Sequence, residues 1–421
     1  MKYEDYVDLK YKPAKSDLVC EFYLDVGGSE TIKRAAGAVA AESSIGTWTE
    51  VTTVKKYVLK NAAKVFSIER VGRSGKRANI KIAYPIDLFE FGNMPNILSS
   101  IAGNIFGMKE VLHLRLNDII FPEKIVKSFP GPLFGLDGVR KVVGVYDRPL
   151  VGTIVKPKLG LNTKDHAKVA YEAWVGGCDI VKDDENLSSQ KFNKFEARLR
   201  ETLKMKRKAE KETGEKKMYM INVTAETREM LRRAKLVADS GNEYLMVDVI
   251  TVGWGALHTL RNENKDLKLV MHAHRAGHAA IDKSPVHGIS MKVLSRIVRL
   301  LGCDQLHIGT AVGKMFETKE DVMANREALL CDFYGIKKVM PVSSGGLHPG
   351  MVPALWKIFG KDVVIQMGGG IHGHPGGTRK GAMAARQAVE AMVKGIDLKT
   401  YAKTHPELKE AIKHWGIVAR A

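Results

Sequence analysis

Lys182-Asp183-Asp184-Glu185 puts an amine and three carboxylates on four consecutive positions, just past the short apolar run Asp179–Val181. In a strand, alternate side chains share a face, so Lys182 and Asp184 project together and Glu185 joins them where the strand ends. Carboxylates so placed suit a hard, oxygen-loving cation such as Mg²⁺. The lysine is the odd member, because an ammonium repels a cation. It fits as an ion-pair partner, as a neutral base, or after conversion by CO₂ to an anionic carbamate. A solvated charge cluster on a turn would have the same composition.

Three further groups could do chemistry. His272-Ala-His274-Arg275-Ala-Gly-His278 offers a His-x-His pair that could bind zinc. Alternatively, Arg275 grips a phosphate while a histidine works as acid or base. His278 is expected to be a satisfied core group. Ser344-Gly345-Gly346 and Gly368-Gly369-Gly370 are glycine loops in which backbone N–H groups can approach an anion. Gly309-Thr-Ala-Val-Gly313-Lys314 sets a lysine between glycines and a helix, where it could close over a substrate or be a plain exposed lysine.

Eight short apolar runs must position these groups: Leu150–Val155, Asp179–Val181, Met218–Val223, Leu245–Val249, Leu267–Met271, Gln305–Ile308, Val339–Val342 and Val363–Met367. The reactive groups lie just past their C-terminal ends, beginning with Lys156-Pro-Lys158 after the first. Eight βα units with reactive groups at the strand tops predict a TIM (β/α)8 barrel, which often binds phosphate after strands seven and eight. Helix signals support this: Thr163 as an N-cap with Gly176-Gly177 as the stop, a Thr318–Asp321 capping box, and Pro353 opening a helix that Gly360 ends. The first 130 residues read differently. Strands are expected at Leu18–Val26, Asn79–Tyr84 and Val111–Phe121, and helices at Ser29–Ser43 and Asn96–Met108, which makes an α+β domain. Pro130-Gly-Pro132 is the expected boundary, giving an N-terminal α+β domain over 1–130 and a catalytic barrel over 131–421.

Composition narrows the class. The 421 residues are 45% hydrophobic, enough for a full core. No 18-residue apolar run is present, so no membrane partner is expected. The N-terminus lacks an apolar signal core, and the four cysteines are far apart, so a reducing cytoplasm is expected. The net charge is +19, yet the cations are spread along the chain. The densest stretch, Arg198 to Lys217, interleaves Glu201, Glu210, Glu212 and Glu215, as in a solvated helix with i,i+4 pairs. No docking motif accompanies the charge, so nucleic acid is not an expected partner.

Together these motifs resemble a known family. Thr153-Ile-Val-Lys156-Pro-Lys158-Leu-Gly-Leu161, Lys182-Asp-Asp-Glu-Asn186, His272-x-His-Arg275, Gly309-Thr-x-Val-Gly-Lys314, Ser344-Gly-Gly346 and Gly368-Gly-Gly370 are similar to the large subunit of ribulose-1,5-bisphosphate carboxylase/oxygenase. Ala41-Glu-Ser-Ser-Ile-Gly-Thr-Trp48 and Gly103-Asn104-Ile-Phe-Gly107 match as well. Ile154-Val155 and the compact length look most like the archaeal form III enzymes. The resemblance implies addition of CO₂, or O₂, to the enediolate of ribulose-1,5-bisphosphate, giving 3-phosphoglycerate. It implies that CO₂ carbamylates Lys182 and that this carbamate, Asp184 and Glu185 hold Mg²⁺, which polarises the substrate C2 carbonyl and C3 hydroxyl.

Residue roles follow in the same way. The carbamate takes the C3 proton, Lys156 protonates the final carbanion with Lys158 as its neighbour, and His274 sits beside the C3 oxygen. Lys314 contacts the incoming CO₂. Arg275, His307 and Ser344 match positions around one phosphate and the sugar, and Gly345 is a further substrate-binding position. Thr47, Trp48, Gly346, Gly368 and Gly369 match the other phosphate site. Glu42 and Asn104 match residues that reach the site from a second subunit, so a homodimer or an assembly of dimers is implied, with no small subunit expected. Form III character points to nucleotide (AMP) salvage. Four departures stand out: Gly277 for a larger residue, Met315-Phe316-Glu317 for Leu-Glu-Gly, a short stretch between strands six and seven, and His374-Pro-Gly-Gly for His-Pro-Trp-Gly. The alternative is a RuBisCO-like protein that enolises or isomerises a phosphosugar without fixing CO₂. Such proteins typically lose several of the positions retained here, notably the loop lysine.

Overall fold

The structure is a computed structural model that describes residues 2–49, 51–313 and 316–418. Its strands are β1 (Leu18–Val26), β2 (Lys64–Arg70), β3 (Arg77–Tyr84), β4 (Val111–Ile120), β5 (Leu150–Ile154), β6 (Ile180–Lys182), β7 (Met218–Asn222), β8 (Tyr244–Asp248), β9 (Val270–His274), β10 (Gly288–Ile289), β11 (Gln305–His307), β12 (Met340–Ser344) and β13 (Val364–Gln366). They form two sheets and two compact units.

The first unit holds residues 1–130 together with 277–300 and 333–336. Its sheet runs β10-β4-β1-β3-β2, antiparallel except for the β10–β4 pair. Residues 277–300 join this unit because Gly288 and Ile289 pair with Arg115 and Leu116, and Arg115 donates to the Asp282 carbonyl. Helix Ile32–Glu42 has mostly alanine on its buried face, with Ile32, Gly37 and Val39. It comes so close to the N-terminal turn that a Cβ on Gly37 would sit 2.0 Å from the Tyr3 carbonyl oxygen. Two expected helices are shorter here. The first starts at Ile32, after the Thr31 cap, and the second covers Met94–Ile101 before a 3₁₀ turn at Asn104–Gly107.

The second unit is the barrel, closed in the order β11-β12-β13-β5-β6-β7-β8-β9 with every pair parallel. Each of the eight expected runs overlaps a strand. Strands buried on both faces read as continuous apolar runs, which is why they stand out in the sequence. Leu150, Ile180, Met218, Tyr244, Val270 and Val364 fill one core layer with Leu136, Val139 and Val143 of helix Gly135–Val143. Among the described residues, no helix is long and apolar enough to cross a membrane.

Three local expectations change. The fifth run was read as Leu267–Met271, but helix Trp254–Leu267 persists to Leu267 and closes on Lys268 in the left-handed region (φ 55°). β9 therefore begins at Val270, and His272 and His274 lie within it rather than past its end. Ser343 and Ser344 likewise lie inside β12. The N-cap of helix Thr163–Val175 is Asn162, whose side chain accepts from the Asp165 N–H. The Thr318–Asp321 capping box and the Pro353/Gly360 helix are present as expected.

Candidate active site

β6 ends in the cluster that opened the sequence reading. Lys182 is fully buried, and its Nζ donates to the Asp183 carbonyl (2.7 Å), meets Met246 Sδ (3.1 Å) and pairs with Glu185 Oε2 (3.4 Å). Asp184 is paired with Lys156 Nζ at 2.8 Å, which ties the end of β5 to the end of β6. Asp184 also accepts from Asn186. Burial opposes ionisation of Glu185, but Lys182 and then His274 outweigh it and bring its pKa to about 2. Lys182 and Glu185 thus meet directly while Asp184 turns to Lys156; β6 ends at Lys182, so the turn after it, rather than strand alternation, sets where Asp184 and Glu185 lie.

Asp183 points the other way, into the wall. It accepts from Arg198 Nε (3.0 Å), Tyr219 Oη (2.7 Å) and the Asn222 N–H (3.1 Å), with His166 Nε2 3.2 Å away. Burial alone would raise its pKa, yet Arg198 and then His166 hold it well below the usual carboxylate range. Arg198 was expected on a solvated helix; it is instead fully buried and anchors the turn that presents Asp184 and Glu185. Breaking a buried pair on one side costs about 3–5 kcal/mol. Arg198→Met should therefore lower the unfolding free energy by about that much at neutral pH. Because Arg198 lowers the folded-state pKa of Asp183, its contribution is present above the ordinary carboxylate range and is lost as pH falls. The gap between variant and wild type should narrow on acidification. A pH-independent gap in denaturant titrations would contradict this.

The histidines divide into two roles. His272 Nδ1 meets Gln305 Oε1 (2.9 Å), and its Nε2 meets His307 Nε2 (2.8 Å). His307 Nδ1 in turn meets Ser344 Oγ (2.6 Å). Burial, with help from neighbouring cations, drives both histidines well below their ordinary pKa, so both are neutral. The Gln305 amide nitrogen faces Met340 Sδ, so its oxygen accepts. The chain then has one direction: Ser344 donates to His307, His307 to His272, and His272 to Gln305. With both ring nitrogens engaged, His272 is not a zinc ligand, which removes the His-x-His zinc reading. His274 is the second role. Its Nδ1 meets Asp248 Oδ1 at 2.9 Å, and its Nε2 lies 3.5 Å from Glu185. His278 is buried against Asp282, as a core group should be.

Gly368 closes on this cluster, since a Cβ there would be 3.3 Å from Lys156 Cε. Gly345 and Gly346 have φ of 122° and 72°, conformations that only glycine adopts without strain. Arg275 is buried and paired with Glu317. Lys158 is exposed and takes no part in these hydrogen bonds, and Gly369 opens a short helix over Gly369–His372. In the first unit, Glu42 ends helix Ile32–Glu42 and accepts from Tyr3 Oη (2.9 Å). Thr47 follows in the same loop, Trp48 is 81% exposed, and Asn104 is exposed at the head of its 3₁₀ turn. Lys314 lies outside the described residues. Asp248, Gln305, Arg198 and Tyr219 were not singled out beforehand. An acid at a strand end marked Asp248, whereas the others depend on pairings between strands that sequence does not display.

Comparisons with known proteins fit this geometry. Residues 5–125 match the ribulose bisphosphate carboxylase large chain N-terminal domain, and 135–415 match its catalytic domain. The ribulose bisphosphate carboxylase of Methanosarcina mazei is 51% identical over 98% of this chain and 99% of its own length. That of Methanocaldococcus jannaschii is 50% identical, covering 98% and 100%. The octameric enzyme of Pyrococcus horikoshii OT3 superposes with a TM-score of 0.95 at 45% identity, covering all of this chain and 98% of its own. The dimeric archaeal enzyme of Hyperthermus butylicus gives 0.93 at 44%, covering 99% and 100%. The chain belongs to the ribulose bisphosphate carboxylase large-chain family, and its activity is that of the family, carboxylation of ribulose bisphosphate.

Proposed function

We propose that the cluster at the ends of β5, β6, β9, β11 and β12 is where CO₂, or O₂, adds to the enediol form of ribulose-1,5-bisphosphate, giving 3-phosphoglycerate. The observation that carries this is Lys182: a fully buried amine paired with Glu185, next to the turn that carries Asp184. Among the described residues, no three His, Cys, Asp or Glu side chains are grouped to hold a metal ion. A carbamate on Lys182, which the family resemblance implies, would add a third oxygen donor to the two carboxylates. Carbamylation turns the cation that neutralises Glu185 into a third anion, an arrangement that calls for a divalent cation. Lys182, Asp184 and Glu185 therefore fit Mg²⁺, whose chemistry here is to polarise the substrate carbonyl and acidify its neighbouring C–H.

The chain's own groups supply the rest. Asp248 holds His274 in one orientation, so that Nε2 faces the Glu185 side of the site. The Ser344–His307–His272 chain leaves the Ser344 oxygen free to accept from a sugar hydroxyl. Lys156, with about a third of its side chain exposed, is placed to give a proton to the product carbanion. Lys158 is its neighbour. Arg275, Gly345, Gly346, Gly368 and Gly369 serve the phosphates, with Thr47 and Trp48. Glu42 and Asn104 complete the site of a second subunit, so the working unit is at least a dimer. We further propose a form III character for the enzyme, on the resemblance of Ile154-Val155 and the compact length, with the reaction serving nucleotide (AMP) salvage.

The test is incorporation of labelled CO₂ into 3-phosphoglycerate by purified protein. Mixing inactive Glu42→Gln with inactive Lys182→Met subunits under exchange conditions should restore part of that activity, because one hybrid site is then intact. A fully active monomer by light scattering would contradict the shared site.

A further inference from the structure

Arg275 and Glu317 form a buried ion pair, with only 5% and 8% of the residues exposed. Glu317 comes from the segment between β11 and helix Lys319–Leu330, directly before the Thr318 cap. It is held in a tight slot. A Cβ on Gly309 would meet Glu317 Cδ and Oε1 at 3.2 Å and Val322 Cγ2 at 3.2 Å, so any larger residue would press on the carboxylate. Gly309 has φ +90°, which favours glycine on backbone grounds as well.

A guanidinium presents a rigid fork that accepts a carboxylate or a phosphate with the same donors. A buried arginine is costly to leave uncompensated, so a protein that needs one for an anionic ligand is more stable if an internal anion sits there first. We propose that Glu317 is that internal anion: it holds the place of one substrate phosphate on Arg275, and the sugar bisphosphate binds by exchange with the carboxylate. This rests on the reading that Arg275 serves a phosphate. Exchange makes Glu317 a specificity-determining residue. A phosphate dianion outcompetes a single carboxylate, whereas a sugar with a neutral hydroxyl at that end does not. The site therefore discriminates bisphosphates from monophosphates by competition as well as by contact. Apparent affinity falls by the fraction of protein in which Arg275 is free to bind, and removing the competitor restores it.

The probe is inorganic phosphate, titrated calorimetrically into the full-length protein. Arg275→Ala identifies the binding step that uses this arginine. For that step, Glu317→Gln should bind phosphate about tenfold tighter or more than wild type, and Glu317→Asp, with a shorter reach, should shift in the same direction by less. The KM for ribulose bisphosphate should fall in parallel. Glu317→Gln should also melt at a lower temperature without phosphate, and saturating phosphate should close most of the gap. If Arg275→Ala weakens phosphate binding but both Glu317 variants bind it like wild type or more weakly, Glu317 is only a structural partner and the exchange idea fails, while Arg275 keeps its role. If Arg275→Ala leaves phosphate binding unchanged, the assignment of Arg275 fails and takes the exchange idea with it.

Discussion

Lys182→Met should abolish incorporation of CO₂, and Lys182→Arg should do the same. Methionine is one atom shorter but unbranched, and it can fill most of the same buried space beside Met246. It should therefore fold, while offering no nitrogen for CO₂ to attack. Arginine keeps the cation but its delocalised guanidinium stays protonated and does not form a carbamate. Two consequences separate this from a general loss of structure. Wild-type activity should need preincubation with both CO₂ and Mg²⁺, and calorimetric Mg²⁺ affinity should rise with CO₂ concentration in wild type but not in Lys182→Met. With Glu185 no longer paired to an ammonium, Lys182→Met should also show a higher Glu185 pKa, since Lys182 is the largest influence holding it down. Full activity of either variant, or a CO₂-independent Mg²⁺ affinity in wild type, would sink the assignment.

Most of the positions that converge on this site were legible before the fold was known, and the reasons are local. Lys182, Asp184 and Glu185 lie within four residues at the end of β6, so chain proximity alone brings them to one strand end. The barrel strands are short apolar runs between helices with clear stops. Where reading failed, the missing information was not local. Nothing in Leu267-Lys-Leu269 signals that a lysine takes the left-handed position where glycine is usual, so the helix end and the start of β9 were displaced. β2 was overlooked because Lys64-Val-Phe-Ser-Ile-Glu-Arg70 has charged ends and no clean alternation. The Ser344–His307–His272–Gln305 chain exists because β9, β11 and β12 pair in one register, with Gln305 opposite both His272 and Met340. That register is a property of barrel closure. Arg198 looked like one cation among many on a charged helix, and only the burial of Asp183 shows what it is for.

Lys314 separates carboxylation from bare enolisation. Enolisation needs a base and a polarised carbonyl, both of which the β6 cluster can supply. Addition of CO₂ to the enediol builds negative charge on a new carboxylate, and that charge needs a cation on the far side of the substrate. The loop after β11 offers a lysine at the matching position, between Gly309-Thr-Ala-Val-Gly313 and the capped helix. The residue before it, Gly313, lies so close to the loop after β12 that a Cβ would sit 2.0 Å from the Gly345 oxygen, which brings this loop to the glycines proposed to hold phosphate. An interaction made mainly in the transition state raises the rate rather than ground-state binding. Removing one such charge-stabilising group costs about a hundredfold or more in kcat. Lys314→Ala should therefore largely retain exchange of the substrate C3 proton with solvent while carboxylation falls by about that factor. Parallel loss of both steps would mean that Lys314 positions the substrate as a whole. Unchanged carboxylation would remove this loop from the chemistry and favour a phosphosugar enolase on the same barrel.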